Sequence, residues 1–185
     1  MRIISGEARG RKLFAPAGED TRPTADRIRE SVFNILSARV WDAEVLDLFG
    51  GTGAMALEAL SRGAEHAVIV DSGREAIRAI ERNSQSVLKD AMPERVKILR
   101  ADYRAAIDAM RDVRFDLVFL DPPYRMADAY ADALTRLCAR GLLGENCICL
   151  LERAADAQIS LPDGFDRYDT RTYGGTSVEF VREAR

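Results

Sequence analysis

Short, nearly continuous apolar runs alternate with helical patterns along most of the chain. Residues 44–49, 67–70, 96–99, 115–120 and 147–151 are near-continuous apolar runs of strand length, the pattern of strands buried on both faces of a parallel sheet. Between them the periodicity predicts helices over 54–61, 74–88, 103–110 and 127–140. In the second of these Ile77, Ile80, Ser84, Val87 and Leu88 share one side, and in the fourth Tyr130, Leu134 and Leu137 do. Strand and helix alternating in this way, joined by right-handed crossovers, make a doubly wound, mostly parallel α/β sheet. Near the C-terminus, residues 165–173 and 177–181 flank Gly174-Gly175-Thr176 and read as a hairpin, which adds an antiparallel edge and brings the sheet to seven strands.

The first forty residues break the rhythm. A basic, glycine-containing arm leads into Thr21-Arg22-Pro23-Thr24, where Pro23 and Thr24 suit a helix start. A helix with Ile28, Val32, Ile35 and Leu36 on its apolar face follows. This piece is too short to fold alone. Residues 1–40 are therefore expected to pack across the carboxyl edge of the sheet as a partial lid on a domain spanning 41–185.

Composition narrows the class. A chain of 185 residues that is 47% hydrophobic and 31% charged can bury a full core without disulfide or metal staples. No apolar run approaches the roughly 20 residues of a membrane helix, and the start lacks a secretory apolar stretch, so a cytoplasmic protein is expected. Nothing in the sequence sets its oligomeric state, and a monomer is the expectation. Cys138, Cys147 and Cys149 cannot close a set of disulfides, and Cys147-x-Cys149 fits neither a zinc knuckle nor a redox pair. They are read as buried thiols, and no metal site is expected. The single histidine, His66, stands at a strand start and is read as structural.

The chain carries 27 Lys and Arg against 30 Asp and Glu, a net charge of −3, and its pI near 5.4 argues against nonspecific coating of nucleic acid. The charge is unevenly spread. Residues 1–29 hold seven basic residues against four acidic ones, a balance of +3 that leaves −6 for the remainder. The positive charge therefore sits on the predicted lid, where Arg9, Arg11, Lys12, Arg22 and Arg27 are candidates for contact with RNA phosphates.

Two strand ends carry chemistry. The first predicted strand runs through Asp47-Leu48-Phe49 into Gly50-Gly51-Thr52-Gly53 and then a helix, so that the backbone can approach a ligand at a helix N-terminus. Ligands of open α/β sheets bind there, outside the carboxyl ends of the strands. Gly51-Thr52-Gly53-Ala54-Met55-Ala56 also satisfies the dinucleotide fingerprint, with Asp71 following Gly51 by 20 residues as the ribose-binding acid, so a nicotinamide oxidoreductase is a serious rival. The fourth strand, however, delivers Asp121-Pro122-Pro123-Tyr124 to the same edge. Two prolines remove two backbone donors and leave a carbonyl beside a carboxylate, with an aromatic ring behind. Asp121 and the Pro122 carbonyl suit the two hydrogens of an exocyclic amine or amide, and Tyr124 suits stacking on a planar ring. The dinucleotide reading gives these residues no role.

Together these residues resemble a class I methyltransferase that uses S-adenosylmethionine (AdoMet), of the amino-methylating branch marked by [DNS]-P-P-[YFW]. The resemblance extends over nearly the whole chain. Arg22-Pro23-Thr24 with the helix from Asp26 to Leu36, then Asp47-Leu48-Phe49 with Gly51-Thr52-Gly53, then Glu58-Ala59-Leu60-Ser61-Arg62-Gly63-Ala64, is similar to the bacterial 16S rRNA guanine(966)-N(2) methyltransferase family. Ile4-Ser5-Gly6, Arg9-Gly10-Arg11 and Tyr173-Gly174 agree with it. Gly50 departs from the alanine usual in that family, a change expected to be harmless, and Ser72-Gly73 departs from a more charged pair.

The resemblance implies that Asp47, Phe49, Gly51 and Gly53 hold the methionine part of AdoMet. It assigns Asp71 to the ribose hydroxyls and Asp102 to the adenine amine. Three carboxylates would thus meet ammonium, hydroxyl and amine donors in turn. It also implies direct in-line methyl transfer to N2 of a guanine in 16S rRNA, with Asp121, Pro122 and Tyr124 as catalytic residues. The small ribosomal subunit or an assembly intermediate would be the partner. A methyltransferase acting on DNA adenine or on a protein glutamine would share Asp121-Pro122-Pro123-Tyr124, and a noncatalytic RNA-binding module would not need the cofactor carboxylates.

Overall fold

The computed structural model describes residues 1–15 and 23–184. Among these residues seven strands form one sheet: β1 (Glu44–Asp47), β2 (His66–Asp71), β3 (Val96–Arg100), β4 (Phe115–Leu120), β5 (Leu143–Ala154), β6 (Phe165–Tyr173) and β7 (Thr176–Glu183). Their order is β3-β2-β1-β4-β5-β7-β6. The first five are parallel, while β7 runs antiparallel between β5 and β6. The doubly wound sheet with an antiparallel hairpin thus forms as the pattern predicts. Gly174-Gly175 makes the two-residue turn, with Gly174 at φ 60°.

Among the described residues six α-helices flank the sheet: α1 (Pro23–Leu36), α2 (Ala54–Ser61), α3 (Arg74–Leu88), α4 (Met92–Arg95), α5 (Tyr103–Ala109) and α6 (Ala129–Ala139). On one face Val32, Phe33, Leu57 and Ile80 from α1, α2 and α3 join Phe119, Leu150 and Phe180 of the sheet. On the other, Tyr103, Ile107, Leu134 and Leu137 from α5 and α6 join Leu46, Val118, Leu120 and Val181. Strands buried on both faces explain the continuous apolar runs. Strand order reverses between β1 and β4, which opens a crevice at their carboxyl ends.

Several local expectations change. The buried side of α1 is Ile28, Arg29, Val32, Phe33 and Leu36, whereas Ile35 is 39% exposed. The helix is rotated so that the Phe33 ring lies 5.9 Å from that of Phe119, with the Arg62 guanidinium 5.0 Å from the Phe33 ring centre. The helix predicted over 127–140 starts later, because Pro122 and Pro123 leave only a single 3-10 turn, Tyr124–Met126, before α6. β5 begins four residues before its apolar run. Its first residue, the buried Leu143, pairs with Phe115 of β4, and a register shift follows before Leu117 meets Ile148. Cys147 and Cys149 are buried, but Cys138 is exposed at the end of α6, where its Sγ donates to Glu183 Oε1 at 3.1 Å. His66 meets its register partner Glu44 at 2.7 Å.

The N-terminal arm is fastened rather than draped. Residues 2–12 form a tight loop closed by an antiparallel bridge between Arg2 and Lys12, and Ile3 and Leu13 enter the core. Gly6 turns the loop at φ 84°, against the Ser61 carbonyl where a Cβ would collide. Glu58 of α2, fully buried, accepts from the Ile4 and Ser5 backbone N–H groups at 2.7 and 3.0 Å. It also accepts from Arg62 Nε at 2.7 Å and faces Arg29 Nε at 3.5 Å. Further along, the buried Asn83 of α3 accepts from Phe14 N–H and donates to the Phe14 and Thr52 carbonyls. Ser31 of α1 shares a 2.6 Å hydrogen bond with the Tyr173 hydroxyl at the hairpin turn.

Candidate active site

A cavity of about 600 Å³ lies at the carboxyl ends of the strands, a volume in the range of small-molecule sites. On one side its wall is the β1 loop from Asp47 to Thr52, with Asp71, Asp102 and Tyr103. On the other it is Phe119, Leu150, Glu152 and Val178, with Ile28, Arg29 and Val32 of α1 across from them. Asp121 and Pro122, at the end of β4, stand between the two halves.

The glycine loop is held by carboxylates. Asp71 Oδ2 accepts from Gly51 N–H at 2.9 Å and Oδ1 from Gly73 N–H at 2.7 Å, so this residue organises both the loop and the start of α3. Each oxygen keeps a second lone pair for a ligand hydroxyl. Gly51 and Gly53 take positive φ, 54° and 77°, and Gly53 serves as the left-handed N-cap of α2 behind the cavity wall. At Gly50 the space that an alanine methyl would fill is taken by Ile69 and Ile80. The Phe49 ring packs at 5.3 Å against Tyr103, and Asp102 caps α5 by accepting from Arg104 N–H at 3.0 Å.

The cavity floor is strongly acidic. Asp47 is only 4% exposed, and burial pushes its carboxyl up to about 7. The Phe49 and Ala56 backbone N–H groups pull it down, and the charges of Asp121 and Asp71 push it further up. Asp121 opens onto the cavity yet is enclosed by protein, and that desolvation together with the charge of Glu152 raises it to about 7. Glu152 is raised by burial as well. A crevice whose carboxyls resist ionisation for want of positive charge nearby favours a cationic ligand. Among the described residues no backbone donor takes the Pro122 carbonyl, whereas the Pro123 carbonyl accepts from Met126 N–H at 2.7 Å.

Asp47, Phe49, Gly51, Asp71, Asp102, Asp121 and Pro122 therefore meet in one cavity, and Gly53 supports it from behind. The stacking role expected of Tyr124 falls on a side chain outside the described residues, as does Arg22. Arg9, Arg11 and Lys12 are exposed on the arm and Arg27 on α1. Sequence reasoning missed Arg29, which is 3% exposed on the cavity wall, and Glu152, which only the strand register brings next to Asp121. Among the described residues no group of three or more His, Cys, Asp or Glu could hold a metal ion, and no helix is long and apolar enough to cross a membrane.

The strand order, the antiparallel β7 inserted beside β5, and a cavity built on a glycine loop after β1 make up the class I methyltransferase architecture, a class that uses AdoMet. An all-parallel dinucleotide-binding sheet has no such strand. The family model described as "Conserved hypothetical protein 95" matches residues 1–182, and the chain belongs to that family. It is 37% identical to ribosomal RNA small subunit methyltransferase D of Escherichia coli, over 100% of this chain and 91% of that one. With the protein of the same name from Haemophilus influenzae it shares 32% identity over 98% of this chain and 93% of that one. The solved structure of an E. coli protein named "Putative methyltransferase yhhF" superposes with a TM-score of 0.85 at 28% identity, over 100% of this chain and 99% of that one.

Proposed function

We propose that this protein is an AdoMet-dependent methyltransferase that methylates the exocyclic N2 of a guanine in 16S rRNA, guanine 966 by family resemblance. The observation that carries the reading is the position of Asp121 and Pro122 at the border of the cavity, between the glycine-loop half and the apolar half under α1. The residues present fit AdoMet: Asp71 and Asp102 supply acceptors for hydroxyl and amine donors, and the acidic floor complements two positive centres. When bound, AdoMet supplies a methyl group on a sulfonium that an amine lone pair can take in line.

In this reading Asp121 and the Pro122 carbonyl accept the two amine hydrogens, which turns the nitrogen lone pair out of conjugation with the ring. Catalysis is mainly positioning, and no strong base is required because the amine becomes acidic once it is alkylated. With its carboxyl near 7, Asp121 can take that proton at Oδ. Tyr124 stacks on the base, and a base extruded from an RNA loop costs least to present. Residues 1–40 serve as a lid on the methyltransferase domain of 41–185, and its exposed Arg9, Arg11, Lys12 and Arg27, with Arg22, face the phosphates. The names of the relatives support ribosomal RNA of the small subunit over DNA adenine or protein glutamine as substrate.

The test is Asp121→Ala. Calorimetry should find S-adenosylhomocysteine bound within a few-fold of wild type, while labelled methyl transfer to small-subunit particles from cells lacking the protein is abolished. Full turnover by this variant would sink the assignment.

A further inference from the structure

Among the described residues, the apolar half of the cavity contains an acidic side chain that the mechanism above does not use. Glu152 lies next to Asp121: Leu120 of β4 and Leu151 of β5 are register partners, so the residues that follow them stand side by side on neighbouring parallel strands. The Glu152 backbone is fixed by β7, where it faces Val178, and by the Tyr130 hydroxyl, which donates to its carbonyl at 2.5 Å. Its carboxylate, by contrast, has no hydrogen-bond or ion-pair partner among the described residues, although it lines the cavity with Phe119, Leu150 and Val178. Other acidic side chains on this face are spoken for, as Glu58 is by Arg29, Arg62 and the arm. An enclosed carboxylate without a donor, set beside a second carboxylate, is costly unless a ligand brings donors to both.

We propose that Glu152 reads the target base, accepting the N1–H of guanine while Asp121 and the Pro122 carbonyl accept the N2 hydrogens. The proposal rests on the reading of this cavity as a guanine amino-methylating site. The chemistry is specific to that edge. Guanine offers N1–H and N2–H₂ as three adjacent donors, which two neighbouring carboxylates and a carbonyl can accept together. Adenine offers an amine flanked by the N1 acceptor, whose lone pair would face the Glu152 carboxylate. Phe119, Leu150 and Val178 form an apolar wall against which a flat ring can lie, so the polar contacts decide which base is kept. Glu152 is thus a specificity residue that separates guanine from adenine.

The test compares wild type, Glu152→Gln and Glu152→Ala in the full chain, with melting curves to confirm folding. S-adenosylhomocysteine affinity should stay within about twofold of wild type in both. Methyl transfer is then measured on small-subunit particles reconstituted with guanine or with 2-aminopurine at the methylated position. 2-Aminopurine keeps the amine but presents an N1 acceptor. Wild type should favour guanine by about 10- to 100-fold, the range of one good base-edge contact. Glu152→Gln, whose amide can donate to an N1 acceptor, should narrow or invert that ratio by at least tenfold, and Glu152→Ala should lose the preference by slowing guanine alone. Both variants slowing the two bases equally, an unchanged ratio, or loss of S-adenosylhomocysteine binding would each overturn the proposal while leaving the guanine reading intact. Nucleoside mass spectrometry showing no N2-methylguanine from wild type would overturn both.

Discussion

Glu58 offers the most exacting test of how the lid is held. It is fully buried and joins three segments: α2 itself, the arm through Ile4 and Ser5, and α1 through Arg29. Glu58→Ala strands Arg29, whose side chain is 4% exposed and which keeps Asp26 at 2.9 Å as its remaining charged partner. Breaking a buried pair from one side costs about 3–5 kcal/mol. The two freed N–H groups add about 1–3 kcal/mol each only if they stay dry. Ile4 and Ser5 are half-buried and can reach water, so a total of about 4 kcal/mol is expected. For a chain of this size that corresponds to a fall of about 8–16 °C in melting temperature. Arg62→Ala is the internal control, because Arg62 is more exposed and its loss leaves Glu58 with Arg29 and two N–H donors, so a much smaller loss is expected. Urea unfolding gives the two differences directly, and hydrogen exchange at the Ile4 and Ser5 amides should quicken in Glu58→Ala alone. A loss below about 1 kcal/mol, or one equal to that of Arg62→Ala, would refute the reasoning.

Two further outcomes follow from charge. Asp47 and Asp121, raised to about 7, hold protons between pH 4 and 7 that an unfolded carboxyl has already released. They therefore make the folded state lose stability as pH rises through that window. A cationic ligand reverses the preference, so AdoMet affinity should climb from pH 5.5 to 8 with net proton release, measured by calorimetry in buffers of different ionisation enthalpy. A flat profile without proton release would contradict the acidic floor. On the arm, Arg9, Arg11 and Lys12 changed together to Ala should weaken binding to small-subunit RNA and flatten its salt dependence by up to about three counterions; unchanged affinity would remove the arm from the RNA-binding surface.

Much of the architecture could be read along the chain because a parallel sheet writes itself in local patterns. Residues 115–120 are an apolar run broken only by Asp116 and form a strand with those same ends. The glycine loop and Asp121-Pro122 are likewise local and fall in one cavity. What escaped depends on partners distant in sequence. Ile35 fits an apolar stripe as well as Phe33 does, and only the ring of Phe119 and the guanidinium of Arg62 set the rotation of α1. Arg29 looks like a surface cation until Glu58, 29 residues later, arrives beneath it. Glu152 follows an apolar run like any strand-ending acid, and its place beside Asp121 exists only in the register of β4 and β5.

The hydrogen bond between Ser31 and Tyr173 spans 142 residues, and it bears on the order in which the molecule can assemble. During synthesis α1 emerges early and can meet α2 through Arg29 and Phe33, yet its sheet partners are missing until β4, β5 and β7 exist, since Phe33 faces Phe119 and the shared core reaches Phe180. Helix α1, made before the sheet, is therefore among the last elements to be fixed, because closure over such separations must wait for the strands between. A nascent chain stalled before residue 173 would hold its lid helix by α2 and the arm without the tie from Ser31 to Tyr173, and the wall that α1 provides would be incompletely fixed. Maturation of the site is thereby coupled to completion of the last hairpin.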